Sequence, residues 1–492
     1  MREIFHDILY NLSTLFQFRP DEPMIFTSGT FWLFFIVFLL LYSLLYKRKW
    51  QMIVFVIVFS LFFYYKSSGL FFLMLAATSF VDWLISKRIT RTEKKRVKRI
   101  WVFLSLCLSL GILGYFKYAN FFLINWNAIV QQNFQPLDIV LPVGISFYTF
   151  QSVSYIIDVY KGRVAPTRTW LEYLFYLSFF PQLVAGPIVR ADYFLPQIGR
   201  EHRVSSSAIY TGLWLVLLGI IKKAVVADYI AQYNDLIFNS PTAYSGFENL
   251  MGIWGYTMQI YCDFSGYSDM AIGITIMMGF DLGKNFNYPY QSRNLTEFWR
   301  RWHISLSSWL RDYVYIPLGG NRKGTFRTYL NNFLTMLIGG LWHGAAWKFV
   351  FWGGMHGVGL MIHKAAKPWL DKLPDTKFIT FISWFLTFSY VSFLWVFFRA
   401  ASFEDSWKLI THVFTDFNPV HIIPFIQVRS VWCIMMTLVF AVHFIPSHVY
   451  ETLSARFSHS SWLFKLCMFI IVVQLVIQFR SEDVQPFIYF QF

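Results

Sequence analysis

The sequence predicts an all-α, polytopic membrane protein, and its composition and apolar runs are the reasons. Of the 492 residues, 56% are hydrophobic and 21% aromatic, while only 14% are charged. An ordinary soluble domain carries roughly 25% charged residues. The length alone would allow two or three soluble domains, yet no polar segment is long enough to form one. Because several of the apolar runs are too short for a full crossing, we expect about eleven transmembrane helices together with re-entrant or interfacial segments.

The net charge of +15 does not indicate nucleic-acid binding. The basic residues gather in short clusters beside apolar runs, which is how orientation in a bilayer is encoded. No soluble basic module exists to bind a duplex, so we expect no nucleic-acid partner. The cysteines are isolated, without the spacing of a disulfide framework or a zinc site. They are Cys107, Cys262, Cys433 and Cys467.

The first third of the chain contains five apolar spans with a consistent orientation. Basic clusters at 47–49 and 87–98 are separated by two spans, so the positive-inside rule places both in the cytoplasm. Residues 66–69 and the Asn- and Gln-containing segment 117–137 then lie outside, the latter as an external or interfacial loop. Residues 1–24 lack the features of a signal peptide, so we expect no cleavage. The spans lie at about 31–46, 52–65, 70–85, 101–116 and 139–160.

The apolar runs of the remaining chain are less regular. Several are shorter than the ~20 residues of a full crossing, and Pro181 interrupts one of them. Irregular backbone at membrane depth must be surrounded by protein or by a water-filled cavity. We therefore expect broken, re-entrant or interfacial helices here. The runs lie at about 171–188, 209–226, 248–280, 329–347, 349–362, 377–398, 431–446 and 462–478.

The segment 293–312 contains the first candidate site residue, His303. Treated as one helix over 298–314, the segment has an apolar face and a basic face, and His303 falls on the apolar side. An interfacial helix with a satisfied core histidine would explain this pattern. An ionisable group at membrane depth also marks a functional site. The apolar face carries Trp299, Trp302, Leu306, Trp309, Leu310 and Tyr313, and the basic face carries Arg300, Arg301, Ser308, Arg311 and Asp312.

His343 is the stronger candidate. Residues 328–347 contain no Asp, Glu, Lys or Arg, and small residues surround this histidine. A neutral imidazole in such a site can act as a general base toward a hydroxyl or a thiol. A histidine that only forms a hydrogen bond between helices is the alternative. His356 is a third candidate, for which we favour a packing role.

Acidic residues within apolar surroundings are a further possible part of a site. Asp263 and Asp269 could line a substrate tunnel or could pair with arginines of the 293–311 segment, and we favour the pairing. Nucleotide-binding motifs are missing, which argues against an ATP-driven pump.

Five motifs together resemble the membrane-bound O-acyltransferase family, in particular its bacterial alginate O-acetylation branch. They are FWRRWHISLS at 298–307, WHG at 342–344, LPVGISF at 141–147, FFPQLVAGP at 179–187 and WVFFRA at 395–400. The resemblance begins near Met24, which leaves residues 1–23 as an N-terminal extension and residues 24–492 as one membrane-embedded domain. It implies a helical bundle that encloses a funnel or tunnel in the bacterial inner membrane.

The resemblance also implies an activity and its residues. His343 would be the catalytic residue and His303 the second histidine of the site. The donor would be acetyl-CoA, used as a co-substrate rather than a bound cofactor. A partner transferase resembling SGNH hydrolases would modify an extracytoplasmic polysaccharide. Candidate donor- or substrate-binding residues are Arg300, Arg301, Arg311, Trp299, Trp302 and Asp263.

Two other functions remain open on the sequence. The intramembrane histidines could relay protons in a transporter or channel. Within the same family, the chain could instead transfer D-alanine from a carrier protein. No metal site is indicated in either case.

Overall fold

The computed structural model describes residues 14–184, 186–200 and 204–479. Within these ranges the regular secondary structure is entirely helical, as the composition predicts. The chain divides into two compact units. The first comprises Met1–Gly212 and Ala271–Gly283, and the second comprises Leu213–Met270 and Lys284–Phe492.

The helices are numbered here in chain order. The first eleven are α1 (Gly29–Leu45), α2 (Lys49–Ser68), α3 (Phe71–Arg91), α4 (Lys95–Leu113), α5 (Ala119–Val130), α6 (Ile145–Tyr160), α7 (Trp170–Ser178), α8 (Phe180–Leu183), α9 (Ala191–Ile198), α10 (Ser206–Ile220) and α11 (Asp228–Asn239). The next six are α12 (Gly246–Met277), α13 (Leu295–Arg301), α14 (Ile304–Leu310), α15 (Thr325–His343), α16 (Trp347–Leu370) and α17 (Lys377–Arg399). They are followed by α18 (Phe403–Thr415), α19 (Ile422–Val428), α20 (Ser430–His443), α21 (Ser447–His459) and α22 (Trp462–Phe479).

Short π-helical and 3₁₀ segments connect several of these helices. π-Helical turns occupy Gly114–Tyr118, Ile221–Ala227 and Arg311–Tyr315. They join α4 to α5, join α10 to α11, and follow α14. The 3₁₀ turns lie at Pro241–Ala243, Pro289–Gln291 and Pro419–His421.

Five helices of the described ranges are long and apolar enough to cross a membrane. They are Lys49–Ser68, Lys95–Val130, Ser206–Asn239, Lys377–Arg399 and Trp462–Phe479. A sixth crossing results if Pro419–Val428 and Ser430–His443, which meet at 94°, form one span. The apolar helix α1, with 17 residues, is shorter than this criterion requires. The total of about eleven crossings stays a prediction.

In the first unit, the loop predicted over residues 117–137 is wrong for most of its length. Residues 119–130 are helical rather than part of an external loop, and α4, a π-turn and α5 form one helix of 36 residues. The asparagines that suggested a loop instead bind the extended chain that follows. The side chain of Asn120 accepts from the Leu137 N–H at 2.8 Å and donates to its carbonyl at 2.9 Å. Asn127 makes the same pair of bonds with Phe134, at 3.2 and 2.8 Å.

The interrupted run at 171–188 forms a broken helix, as predicted. A capping box of Thr169 and Glu172 starts α7, and the chain leaves helical geometry at Phe179 before α8 begins. The backbone N–H of Phe180 then donates to the Ser60 hydroxyl at 3.2 Å. The break therefore lies within packed protein, where its backbone groups find partners.

In the second unit, glycines bring α15 and α16 into backbone contact. A Cβ atom added to Gly340 would lie 3.0 Å from the Cα of Gly353, and it would also collide with the Phe349 carbonyl oxygen. A Cβ on Gly357 would lie 2.9 Å from the Cα of Phe333. Small residues at a helix crossing permit this close approach. The crossing positions His343, at the end of α15, beside the first turns of α16.

Candidate active site

The predicted single helix over 298–314 is wrong, because the chain breaks at His303. Helix α13 ends at Arg301, His303 adopts a left-handed conformation (φ 43°, ψ 57°), and α14 begins at Ile304. Asn285 stabilises the break: its carbonyl accepts from the Ile304 N–H at 2.9 Å and its side-chain oxygen accepts from the Ser305 N–H at 3.3 Å. These bonds satisfy backbone donors at the start of α14, which would otherwise be unpaired.

The apolar face that the helical pattern predicted is nevertheless buried, because both short helices contribute to it. His303 is fully buried, with an exposed fraction of 0%. Its ring meets Phe264 edge-on, with centroids 4.7 Å apart, and its Nδ1 lies 3.1 Å from the side-chain oxygen of Asn285. The inward position of His303 is therefore observed, although its cause is a backbone break rather than the azimuth on one helix.

The contacts of Asn285 determine which nitrogen of His303 carries the hydrogen. A backbone N–H can only donate, so the Asn285 atom facing the Ser305 N–H must be the oxygen. The amide nitrogen then donates to the Ser268 hydroxyl at 3.2 Å. Since an amide oxygen only accepts, Nδ1 of His303 is the donor. The neutral ring therefore has its lone pair on Nε2.

His343 is the last residue of α15 and is 4% exposed. Its ring lies 5.0 Å from Trp342, 5.1 Å from Trp352 and 5.2 Å from Phe398, measured between centroids. The ring of His303 lies 6.1 Å from the same Trp342. The structure therefore places both predicted histidines against one indole, in an aromatic, uncharged environment.

A third histidine, His356, belongs to the same aromatic cluster. It is fully buried, and its Nδ1 accepts a hydrogen bond from the Trp299 indole at 3.3 Å. Its ring lies 4.8 Å from Trp352, which in turn lies 5.1 Å from His343. Trp302, predicted with Trp299 as a substrate-binding residue, is also buried and packs 4.9 Å from Trp395.

The three predicted arginines differ in their contacts. Arg301 pairs with Glu297 at 2.8 Å, one helical turn away. Arg311 binds Asp312 through two bonds of 2.7 and 3.1 Å, and the hydrogen bond to this carboxylate raises the pKa of Arg311. Arg300 is exposed, and the described part of the chain offers it no ion-pair partner. Of the three, Arg300 therefore has the guanidinium most available to a ligand.

Asp263 and Asp269 are paired, but with lysines rather than with the predicted arginines. Asp263 binds the buried Lys223, which also binds Asp228 at 2.7 Å. Asp269 binds Lys222 at 2.6 Å. Both lysines belong to the π-helical turn Ile221–Ala227. The favoured pairing role for the acidic residues matches this geometry, and the adjacent lysines inside the apolar run at 209–226 were the sequence signal for it.

Asn285 was missed by the sequence analysis. It lies 18 residues before His303 and follows no spacing that marks a catalytic residue. A cavity of about 120 Å³ lies elsewhere in the second unit, lined by Tyr229, Gln232, Tyr233, Val428, Arg429, Ser430, Val431 and Trp432.

Comparison with known proteins decides the family. The model of the membrane-bound O-acyltransferase family matches residues 167–407, which include all three histidines. A protein named probable alginate O-acetylase from Pseudomonas aeruginosa is 41% identical over 399 residues, covering 80% of this chain and 75% of that protein. The chain belongs to the membrane-bound O-acyltransferase family. This confirms the resemblance drawn from the five motifs.

Further relatives extend the match along this O-acyltransferase. The probable alginate O-acetylase of Pseudomonas putida is 36% identical over 494 residues, covering 95% of this chain and 100% of that protein. The peptidoglycan O-acetyltransferase of Helicobacter pylori is 38% identical over 363 residues, covering 68% and 69%. The protein is therefore a multi-pass membrane enzyme of the O-acyltransferase class. The alternative of a proton-relaying transporter or channel is set aside.

Proposed function

We propose that this O-acyltransferase takes acetyl groups from acetyl-CoA at the cytoplasmic face of the bacterial inner membrane and moves them across for O-acetylation of an extracytoplasmic polysaccharide. An SGNH-hydrolase-like transferase would complete the modification as a partner. The names of the relatives, which specify acetylation of alginate and of peptidoglycan, support a polysaccharide acceptor. The observation that carries the proposal is the placement of His343 and His303 against one indole.

His343 acts as the general base in this proposal. Its imidazole takes the proton from the attacking hydroxyl as that oxygen bonds to the acetyl carbonyl carbon. The carbon–sulfur bond then breaks, and the thiolate leaves with the proton that His343 returns. General-base assistance is typically worth about 10²–10⁴-fold in rate. The absence of Asp, Glu, Lys and Arg from residues 328–347 favours a neutral imidazole, which this role requires.

His303 positions or polarises a substrate. Asn285 fixes its Nδ1 as the donor, so the Nε2 lone pair of the neutral ring is directed away from Asn285. This nitrogen can accept a hydrogen bond from a hydroxyl or a thiol and orient it. Both rings contact Trp342, so a histidine that orients the acceptor would complement a nearby general base.

Arg300 contributes to donor recognition. A guanidinium matches phosphate oxygens through planar, paired hydrogen bonds, and acetyl-CoA carries several phosphates. Its exposure at the end of α13 leaves it accessible from the solvent or headgroup side. Lipid headgroups offer the same phosphate chemistry. The KM for acetyl-CoA of an Arg300→Ala variant distinguishes donor binding from headgroup contact.

The decisive experiment is acetyl transfer by the purified protein in lipid nanodiscs. We expect radiolabelled acetyl-CoA to lose its label to water or to an added acceptor, and His343→Gln to abolish this transfer. Glutamine keeps much of the size and hydrogen bonding of histidine but cannot take a proton at neutral pH. His448→Gln provides a matched control, because His448 is exposed on α21.

Three outcomes would contradict parts of the proposal. Wild-type transfer by a well-folded His343→Gln variant would make His343 structural. Transfer only from an acyl group attached to a carrier protein, with acetyl-CoA left intact, would favour the D-alanyl branch. Recovery of the protein in outer-membrane fractions would contradict the proposed location.

A further inference from the structure

Two buried N–H groups on α16, those of Trp352 and His356, belong to the aromatic cluster that contains His343. The indole of Trp299 has a donor and no acceptor, so its bond of 3.3 Å shows that Nδ1 of His356 supplies a lone pair. The neutral ring of His356 must therefore carry its hydrogen on Nε2. This is the tautomer opposite to that of His303, in which Asn285 places the hydrogen on Nδ1.

Nε2 of His356 and Nε1 of Trp352 make no hydrogen bond within the residues that the structure describes, although the side chains are only 0% and 1% exposed. Buried polar groups in native proteins are nearly always paired, and an exception calls for an explanation such as a ligand. Because the two unpaired groups lie on adjacent rings, one ligand would explain both.

The two residues are four positions apart on α16 and so share one face of the helix. Their ring centroids are 4.8 Å apart, and the Trp352 ring lies 5.1 Å from His343. The Trp352 ring thus adjoins the proposed general base, and the His356 ring adjoins Trp352. The surrounding rings, which include Trp395 and Phe398, are uncharged and favour a neutral ligand over an ionic one.

We propose that Trp352 Nε1–H and His356 Nε2–H bind the carbonyl oxygen of the acyl group during transfer. The proposal rests on the proposed function and assigns the acyl-carbonyl site within it. When the acceptor oxygen bonds to the carbonyl carbon, the carbonyl π electrons move onto the oxygen that these donors hold. When the electrons return, the carbon–sulfur bond breaks and the thiolate leaves. Donors aimed at such an oxygen act chiefly on the transition state.

Trp299 has a positioning role in this arrangement. Its indole hydrogen bond fixes the His356 tautomer that has a donor on Nε2. Trp299→Phe would allow the hydrogen to move to Nδ1 and would weaken carbonyl binding without removing either donor residue. This effect gives the proposal an independent test at a third position.

The first test compares kinetics. We expect Trp352→Phe and His356→Phe each to lower kcat about 10²-fold, within the range seen when one oxyanion donor is removed, while the KM for acetyl-CoA changes little. His356→Gln retains an N–H donor and should recover part of the loss. Trp432→Phe is the matched control, since Trp432 is buried with an indole that lacks a partner in the described ranges but lies at the separate cavity. Its kcat should stay near that of the wild type.

The second test needs no turnover. Acetonyl-CoA carries the carbonyl but cannot be cleaved, and S-propyl-CoA lacks it. The wild type should bind the ketone more tightly, and the preference should disappear in Trp352→Phe and His356→Phe. Equal preference in wild type and variants, with wild-type kcat in both phenylalanine variants, would overturn the proposal. Failure of the wild type to transfer acetyl groups would instead contradict the proposed function. The difference in ketone binding between the wild type and the variants would still test the carbonyl site.

Discussion

The side-chain oxygen of Asn285 lies 3.1 Å from Nδ1 of His303 and determines the tautomer of that ring. The same residue caps the first turn of α14 through two backbone N–H groups, so one asparagine fixes both the backbone break and the ring. This double role gives the first prediction.

Asn285→Asp should lower kcat at neutral pH more than it lowers the abundance of the protein. A carboxylate still caps α14, but beside an imidazole it favours the protonated ring, which has no lone pair to orient a substrate. Part of the activity should return as the pH is raised from about 6 to about 9, across the range where histidines titrate. Asn287→Asp adds the same charge at an exposed position two residues away and serves as the control. A pH profile unchanged from wild type would contradict the role of Asn285.

His303 should tolerate asparagine better than alanine. Its φ of 43° is a left-handed conformation, which asparagine adopts more readily than alanine. Asparagine also retains a polar side chain, so His303→Asn should keep more abundance and more activity than His303→Ala. Both should retain more activity than His343→Ala, for which we expect the ~10²–10⁴-fold loss of a general base. Labelled acetyl transfer, normalised to detergent-stable protein, is the measurement.

Arg300→Ala should raise the KM for acetyl-CoA several-fold. Arg301→Ala and Arg311→Ala should have smaller effects, because those guanidinium groups already bind Glu297 and Asp312. The Arg300 effect should shrink at high salt, since exposed charges are screened. Equal KM values for all three variants and the wild type would leave Arg300 as a headgroup or solvent contact.

Lys223→Met should destabilise the protein more than Asp263→Asn does. The lysine is shared by Asp228 and Asp263, so its removal leaves two carboxylates without their cation, while loss of one carboxylate leaves the other pair intact. Breaking a buried ion pair typically costs about 3–5 kcal/mol. Thermal unfolding in detergent, followed by size-exclusion chromatography, should rank the two variants. The reverse order would mean that Lys223 is not the centre of this cluster.

Cysteines at positions 93 and 132 should face opposite sides of the membrane. The helix Lys95–Val130 has 36 residues, and at ~1.5 Å per residue it exceeds the ~30 Å hydrocarbon core. The basic cluster at 87–98 places its start in the cytoplasm. In a background lacking the four native cysteines, an impermeant thiol reagent applied to whole cells should label Gln132→Cys but not Glu93→Cys. The opposite labelling would reverse the orientation.

The sequence predicted the helical class and the burial of both histidines because both depend on composition and local pattern. The uncharged surroundings of His343 and the apolar face of 298–314 are visible in consecutive residues. Broken helices were also foreseeable where proline interrupts an apolar run, as at Pro181.

Long-range hydrogen bonds determined what the sequence did not predict. The break at His303 depends on Asn285, and the helix over 119–130 retains its asparagines because they bind backbone groups at 134 and 137. A helical period describes neighbours along one element and contains no information on such partners. The tautomer of His356 likewise depends on an indole 57 residues away.

The contact of Gly340 with Gly353 has a consequence for how this enzyme can change its acyl specificity. Because the two backbones touch at this crossing, no side chain separates the helices there, and main-chain contact sets the spacing of the helices that carry His343 and the Trp352–His356 pair. On the proposed roles of these residues, substitutions elsewhere in the aromatic cluster should alter the room for an acyl chain without moving His343 relative to Trp352 and His356. We therefore expect that acyl-length preference can change by substitution while the spacing of His343 and the Trp352–His356 pair is kept.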